Sequence, residues 1–226
     1  MNRDAITKIE PFVIKDCTLI ALATGKRAQN LRELKEQLSY IEPDSIYYHF
    51  WGSLLRPRFD DPVFHNDFAF WSAHHLHDPI LAERLAVIDP KEFTSMEDLR
   101  NELTEIMEER LDEIEFPLYS QRENQFEFIR SQIVIFHSNQ RVSKPSDFVK
   151  LLPRFSVGSI FYHFIDARRR TENNLDDFQN WLHLYGDTYK DLCGLIAEID
   201  PYFSSLTRLR DHLAEVFQNY FKGEKV

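Results

Sequence analysis

Apolar residues recur at intervals of three and four along much of the chain, which is the spacing of amphipathic helices. In residues 30–41 (NLRELKEQLSYI) they form one stripe with the charged residues opposite: Leu31, Leu34, Leu38 and Ile41. Pro43 follows, and proline disfavours the continuation of a helix. We therefore predict a surface helix that ends before residue 43.

The next segment, residues 45–56 (SIYYHFWGSLLR), has apolar side chains on nearly every side of a helix. A helix of this kind is usually buried at the centre of a domain. Asp44 or Ser45 is predicted to cap its N-terminus, and Pro57 to end it.

Three more helices are predicted in the first half of the chain, at about residues 66–77, 79–88 and 94–111. Asn66 or Asp67 can cap the first of them. Thr94 and Glu97 have the spacing of a capping box at the start of the last.

Two short runs are richer in β-branched residues than the rest of the chain: CTLIALATG (17–25) and QIVIFHSN (132–139). Each could form a short strand that ends in a turn, at residues 24–25 or 138–139. Helix and strand are hardest to separate in short apolar runs, so both options stay open here.

The pattern occurs twice. Residues 45–50 (SIYYHF) return 114 positions later as SIFYHF, and the block NDFAFW returns further along as DDFQNW. We therefore predict an internal duplication, with a first helical repeat at 1–112 and a second at 113–226. Two copies are too few for a solenoid, whose arrays usually need three or more units.

From these patterns we predict a mainly α fold. It consists of two tandem copies of a helical module, with about five helices each and a short strand at the start of each as an open option. Two copies of one fold can pack as an isologous dimer does, so we expect pseudo-twofold symmetry.

Composition then excludes several classes of function. The 37 acidic residues outnumber the 27 basic ones, and the formal charge of −10 repels nucleic acid and anionic membranes. No stretch reaches the roughly 18 apolar residues that span a bilayer, and the N-terminus lacks a secretory apolar region. We expect a cytoplasmic protein with no nucleic-acid or membrane partner.

No known catalytic motif occurs in the chain. It has no phosphate loop, nucleophile elbow, zinc-protease helix or dinucleotide fingerprint. Cys17 and Cys193 lack zinc-type spacing, and we expect both to be reduced and buried. No catalytic residue, metal or cofactor is predicted.

His49 and His163 are the first candidate site residues, because both repeats keep a histidine in the predicted central helix. Burial and the helix N-terminus disfavour the imidazolium, so a neutral ring is expected. Such a ring can exchange hydrogen bonds with its neighbours, contact a ligand or metal, or act as a base. Structural hydrogen bonding is the favoured interpretation.

Asp67 and Asp177 occupy matching positions before a helical Phe and Trp. Helix capping is the favoured role, and orientation of the buried histidine is the sharper alternative. Tyr48 and Tyr162 also match, and their hydroxyls can complete a core or line a pocket.

Some candidates are weaker. Arg56 and Arg170 match at the end of the central helix, where they can be solvated or can hold an anionic ligand. His74 and His77 are one helical turn apart, a spacing able to bind a transition metal, but exposed histidines at a helix end are the simpler interpretation.

SIYYHF, NDFAFW and LAERLAVIDPKEF together resemble a functionally uncharacterised prokaryotic domain family with S-I-Y-Y-H and N-D-F-A-x-W segments. The resemblance covers most of the first repeat and, more faintly, the second. Members of such a family occur near enzymes of carbohydrate metabolism, which implies an accessory role. Asp176 and Gln179 replace Asn66 and Ala69 in the second repeat, which puts the role of that segment there in doubt.

We expect a non-enzymatic binding or accessory module for a partner protein or a small ligand. The alternative is a hydrolase, with or without a metal, in which His49 or His163 acts on a small, sugar-related substrate and Asp67 or Asp177 orients the histidine. A third hypothesis is a purely structural part of an assembly that hides aromatic surface.

Overall fold

The structure is a computed structural model, and it describes residues 9–55, 64–202 and 205–223. The first half of the chain contains β1 (Phe12–Ala28), α1 (Leu31–Leu38), α2 (Pro43–Trp51), α3 (Asp67–His74), α4 (Pro79–Ala86) and α5 (Met96–Glu113). The second half contains β2 (Phe126–Val142), α6 (Phe148–Leu151), α7 (Val157–Ile160), α8 (Ala167–Arg170), α9 (Asp177–His183), α10 (Lys190–Ala197) and α11 (Leu206–Gly223). A π-helical segment, Phe161–Asp166, joins α7 to α8.

The predicted mainly α fold of tandem helical modules is wrong. Over the described residues the protein is mixed α/β, with 58% helix and 18% strand, and the two strands found there form an antiparallel sheet. Each strand has 17 residues, so the strands are neither short nor optional.

The strands run through both predicted turns. Gly25 adopts φ +77 within β1, a conformation that glycine tolerates without steric cost. Next to it, Thr24 donates a hydrogen bond of 2.6 Å to the carbonyl oxygen of Phe128. Ser138 makes the matching 2.6 Å bond to the carbonyl oxygen of Ile14. Two residues that were predicted to lie in turns thus use their hydroxyl groups to join the two strands by hydrogen bonds.

The contacts divide the chain into two compact units. Unit 1 contains Met1–Thr18 and Val134–Val226, and unit 2 contains Leu19–Ile133. Both borders fall inside the strands, so unit 1 holds the first residues of β1 together with the helices of the second half. Unit 2 holds the first residues of β2 together with the helices of the first half. The repeat limits at 112 and 113 remain a prediction about the sequence.

Each unit buries an aromatic core around the start of a strand. In unit 1, Phe12 stacks on Phe178, with ring centroids 5.4 Å apart. In unit 2, Phe126 stacks on Phe68 at 5.0 Å. All four rings are buried, and apolar area removed from water stabilises each core.

The starts of α2 and α5 differ from the prediction by one or two residues, whereas α4 begins at Pro79 as predicted. α2 begins at Pro43, and neither Asp44 nor Ser45 caps it. Proline suits the first position of a helix, where its missing N–H would have no partner. Ser95 caps α5 and pairs reciprocally with Asp98, so the predicted box of Thr94 and Glu97 is wrong by one residue.

The prediction for α1 is confirmed, since Leu31, Leu34 and Leu38 are buried on one face. The central helix ends earlier than Pro57 suggested, because α2 passes into a 3-10 turn at Gly52–Leu55. Within the described residues, no helix is long and apolar enough to cross a bilayer.

Candidate functional site

His49 lies on α2 and is buried at the centre of unit 2. Its Nδ1 is 2.9 Å from Oδ2 of Asp67. Its Nε2 accepts a hydrogen bond of 3.2 Å from the backbone N–H of Ile129 in β2. Because Nε2 accepts, the proton of the neutral ring is on Nδ1 and points at the carboxylate.

His163 has the same arrangement in unit 1, within the π-helical segment. Its Nδ1 is 2.7 Å from Oδ2 of Asp177, and its Nε2 accepts a 2.9 Å bond from the backbone N–H of Lys15 in β1. Each histidine therefore ties a central helix, the start of a following helix and a strand together.

Burial sets the charge state of His163. Loss of solvation lowers the pKa of this imidazole, and the Asp177 carboxylate opposes that effect without reversing it. The ring is therefore neutral at pH 7, as predicted from the sequence.

Aromatic rings and a second hydrogen bond hold each strand against its unit. The ring centroids of Phe12 and His163 are 4.8 Å apart, and those of Phe126 and His49 are 4.7 Å apart. The indole N–H of Trp181 donates to the carbonyl oxygen of Glu10 at 2.8 Å. In unit 2 the indole N–H of Trp71 donates to the carbonyl oxygen of Asn124, also at 2.8 Å.

The favoured capping role of Asp67 and Asp177 is wrong, and both pair with histidines. The residues before them cap the helices: Asn66 accepts from the N–H of Ala69 at 2.8 Å, and Asp176 accepts from that of Gln179 at 2.9 Å. A helix leaves several N–H groups unpaired at its start, and the preceding side chain reaches one of them. The carboxylates of Asp67 and Asp177 are thereby left for the histidines.

Tyr48 and Tyr162 are both buried beside the histidines, with ring centroids 5.3 Å from His49 and 5.0 Å from His163. Their surroundings differ. A side chain at Gly52 would meet the Tyr48 ring at 2.7 Å, so glycine is needed for close packing there. The hydroxyl of Tyr162 instead accepts from the Lys15 ammonium at 3.5 Å.

Arg170 ends α8 and stays partly in contact with solvent, as predicted for a helix end, but its side chain is also paired. Its guanidinium bonds to Asp166 at 2.9 Å and to Asp177 at 3.2 Å, and it lies 4.0 Å from the centre of the Tyr162 ring. These contacts occupy the guanidinium group that the alternative interpretation assigned to an anionic ligand. Arg56, its predicted counterpart, lies outside the described residues.

His74 and His77 do not point to a metal centre. Nδ1 of His74 donates to the carbonyl oxygen of Phe70 at 3.0 Å, and its ring stacks on Phe70. In the part of the chain that the structure describes, no group of three or more metal-binding side chains is placed to hold an ion.

Both cysteines are free and buried, as expected. Burial, with Asp166 as the next cause, raises the pKa of Cys17 to about 12. Burial also raises the pKa of Cys193. Neither thiol is activated as a nucleophile, because the thiolate is the reactive form.

Sequence reasoning missed a row of aromatic side chains on unit 1, here called the aromatic row: Trp181, Tyr185, Tyr189, Tyr220 and Phe221. Neighbouring ring centroids along it are 5.2 to 6.4 Å apart. All except Trp181 are partly exposed. The signal was present in the sequence as aromatic residues at intervals of four from Trp181 to Tyr189.

The fold does not require the aromatic row. At the 110-residue shift that aligns Trp71 with Trp181, the first half has His75 and Arg110 in place of Tyr185 and Tyr220. Arg110 there bonds to the buried cap of α4, Asp78, at 2.9 Å. Because His75 and Arg110 occupy the matching positions in unit 2, the aromatic row is a feature of unit 1 alone.

Comparisons with known proteins agree with this architecture. The solved structure of OrfY from Thermoproteus tenax superposes with a TM-score of 0.80 at 26% identity, over 93% of this chain and 95% of that one. No curated protein matches the chain. A family model described as a family of unknown function, DUF5752, matches residues 9–218. The expectation of an uncharacterised domain family is therefore confirmed, and the chain belongs to the DUF5752 family.

Proposed function

We propose that this protein is a non-enzymatic module that binds a partner protein through the aromatic row of unit 1. The row carries the proposal because it is a continuous set of partly exposed rings that the matching part of unit 2 lacks. Tyrosine and tryptophan are enriched in protein interfaces, where they bury large areas at little cost in conformational entropy.

The surroundings of the row favour a protein over nucleic acid. Asp187 and Asp191 are exposed next to Tyr185 and Tyr189, and the chain carries a net charge of −10. Leu184, 60% exposed, adds apolar surface at the same helix end. Exposed Lys190 and Lys222 flank the same rings, so the row offers aromatic and aliphatic surface with charges of both signs, which suits an apolar protein segment.

The histidines support a binding role more than the hydrolase alternative. A general base needs a ring nitrogen that can take a proton from substrate. In both units one nitrogen of the histidine faces a carboxylate and the other accepts a backbone N–H, so hydrolysis would first require a strand to detach. A cytoplasmic location is part of the same proposal and rests on the sequence.

Photo-crosslinking tests the proposal. A benzophenone amino acid at Tyr189 should link the protein in cells to one partner, and the same probe at Tyr40 in unit 2, which is 73% exposed, should not. Binding of the purified partner should then weaken by tenfold or more in Tyr185→Ala and remain unchanged in Tyr40→Ala.

Two results would contradict it. One is equal crosslinking from Tyr189 and Tyr40, which indicates random collision. The other is an adduct with a second copy of the chain alone, which would make the row a subunit interface.

A further inference from the structure

Asp176 is a buried carboxyl group with one unsatisfied oxygen. The residue is 0% exposed at the N-cap of α9 in unit 1. Oδ1 accepts the Gln179 N–H at 2.9 Å. Oδ2 is also buried, and within the described ranges no group donates a hydrogen bond to it. An unsatisfied buried carboxylate oxygen is costly, because its solvation is lost without replacement.

The matching position in unit 2 shows which chemistry suits this place in the fold. Asn66 caps α3 there, its Oδ1 accepts the Ala69 N–H at 2.8 Å, and its Nδ2 donates to the carbonyl oxygen of Leu85 at 2.9 Å. An uncharged amide thus satisfies both of its polar atoms. A protonated carboxyl group resembles that amide in being uncharged and in having a hydrogen-bond donor, and a carboxylate does not.

The charged and titratable groups around Asp176 only partly compensate for the solvation that its carboxylate loses on burial. A guanidinium nitrogen of Arg168 on α8 is 3.8 Å from Oδ2, which is beyond hydrogen-bond distance. Asp177 on α9 is a like charge, and the Cys193 thiol on α10 is neutral because burial and Asp176 raise its pKa. Burial raises the pKa of Asp176 to about 7, despite the opposing effects of the backbone N–H of Gln179, of Arg168 and of the backbone N–H of Phe178.

We propose that Asp176 is a proton-binding site that makes the stability of unit 1 depend on pH near neutrality. With a proton bound, the start of α9 holds a neutral cap, as α3 does in unit 2. Without it, an incompletely paired charge is buried under α9 and weakens this helix. The proposal is independent of partner binding.

The sign follows from linkage. The folded state keeps the proton up to about pH 7, whereas an unfolded aspartate loses it near 3.8. Between these values the folded state binds more protons, so stability is greatest at low pH and is lost as the pH rises. His163 in the same unit acts in the opposite direction, because burial lowers its pKa. Only a comparison with a variant at position 176 isolates the effect.

Hydrogen exchange of the full chain from pH 5 to pH 8 measures the effect in wild type and Asp176→Asn. We expect the opening constant of the α9 amides, relative to the variant, to rise about tenfold for each pH unit up to about pH 6.5. It should then level off. The α3 amides in unit 2 should show no such difference.

The reciprocal change gives a second test. Asn66→Asp should make the opening of α3 depend on pH with the same sign, while α9 keeps its wild-type profile. A pH-independent ratio between wild type and Asp176→Asn would overturn the proposal. If Asp176→Asn does not fold, a flat pH profile for α3 in Asn66→Asp would overturn it instead.

Discussion

The backbone amide of Lys15 donates a hydrogen bond to Nε2 of His163, although 148 residues separate them. The equivalent bond in unit 2 runs from Ile129 to His49. Lys15 precedes Ile129 by the same 114 positions that separate the histidines. Each half of the chain therefore supplies the strand that the histidine of the other half binds.

This exchange predicts where strand mutations act. Phe12→Ala should increase hydrogen exchange in α9 of unit 1, and Phe126→Ala in α3 of unit 2, because each ring stacks there. A loss of roughly 3–5 kcal/mol in unfolding free energy is expected for each. The two variants are controls for each other. An effect of Phe12→Ala on α3 alone would contradict the exchange.

The histidines are predicted to act as structural hydrogen-bonding groups. His49→Ala and His163→Ala should each lower the free energy of unfolding by about 1–3 kcal/mol, because a backbone N–H loses its acceptor and a carboxylate loses one of its partners. Urea denaturation measures this loss. Replacement of the exposed His183 by alanine is the control and should change stability little. Unchanged stability in the first two variants would contradict the structural role.

A pH titration tests the charge state of His163. Its pKa is lowered from 6.5 by burial, so below pH 6.5 the unfolded chain binds a proton that the folded ring does not. The stability due to the neutral ring is thus complete above 6.5 and is lost as the pH falls. The ¹⁵N shifts of the ring should be those of the neutral Nδ1–H form at pH 8, and their titration midpoint should lie below 6.5. A titration midpoint at or above 6.5 would contradict this.

Two glycines give a matched pair. A Cβ at Gly158 would collide with the backbone oxygen of Cys17 in β1, whereas one at Gly194 would meet nothing within 4 Å. Gly158→Ala should therefore destabilise the protein by at least about 1–3 kcal/mol, since backbone must move. Gly194→Ala, within helix α10, should stabilise it by roughly 0.5–1 kcal/mol. Thermal unfolding compares them, and equal melting temperatures would refute the close contact.

Much of the helical structure could be predicted from local patterns. Leu31, Leu34 and Leu38 share one face because a helix turns every 3.6 residues, and the aromatic residues around His49 indicated a buried helix. These features depend on neighbours within a few positions. The strands were harder to predict, because Thr24 and Gly25 are residue types that are typical of turns. In the structure the Thr24 hydroxyl bonds to the other strand, and Gly25 lies within β1.

The residues alone were sufficient to indicate which side chains are buried and which helices form, because burial and helix periodicity are recorded in short stretches of chain. They left two roles open for Asp67, and only the folded chain assigns it to His49. Likewise, nothing near His163 in sequence identifies Lys15 as its partner. A hydrogen bond between distant segments depends on how strands and helices pack in three dimensions. Aligning the two halves of the sequence shows which positions match, but it does not show which half provides the donor for each histidine.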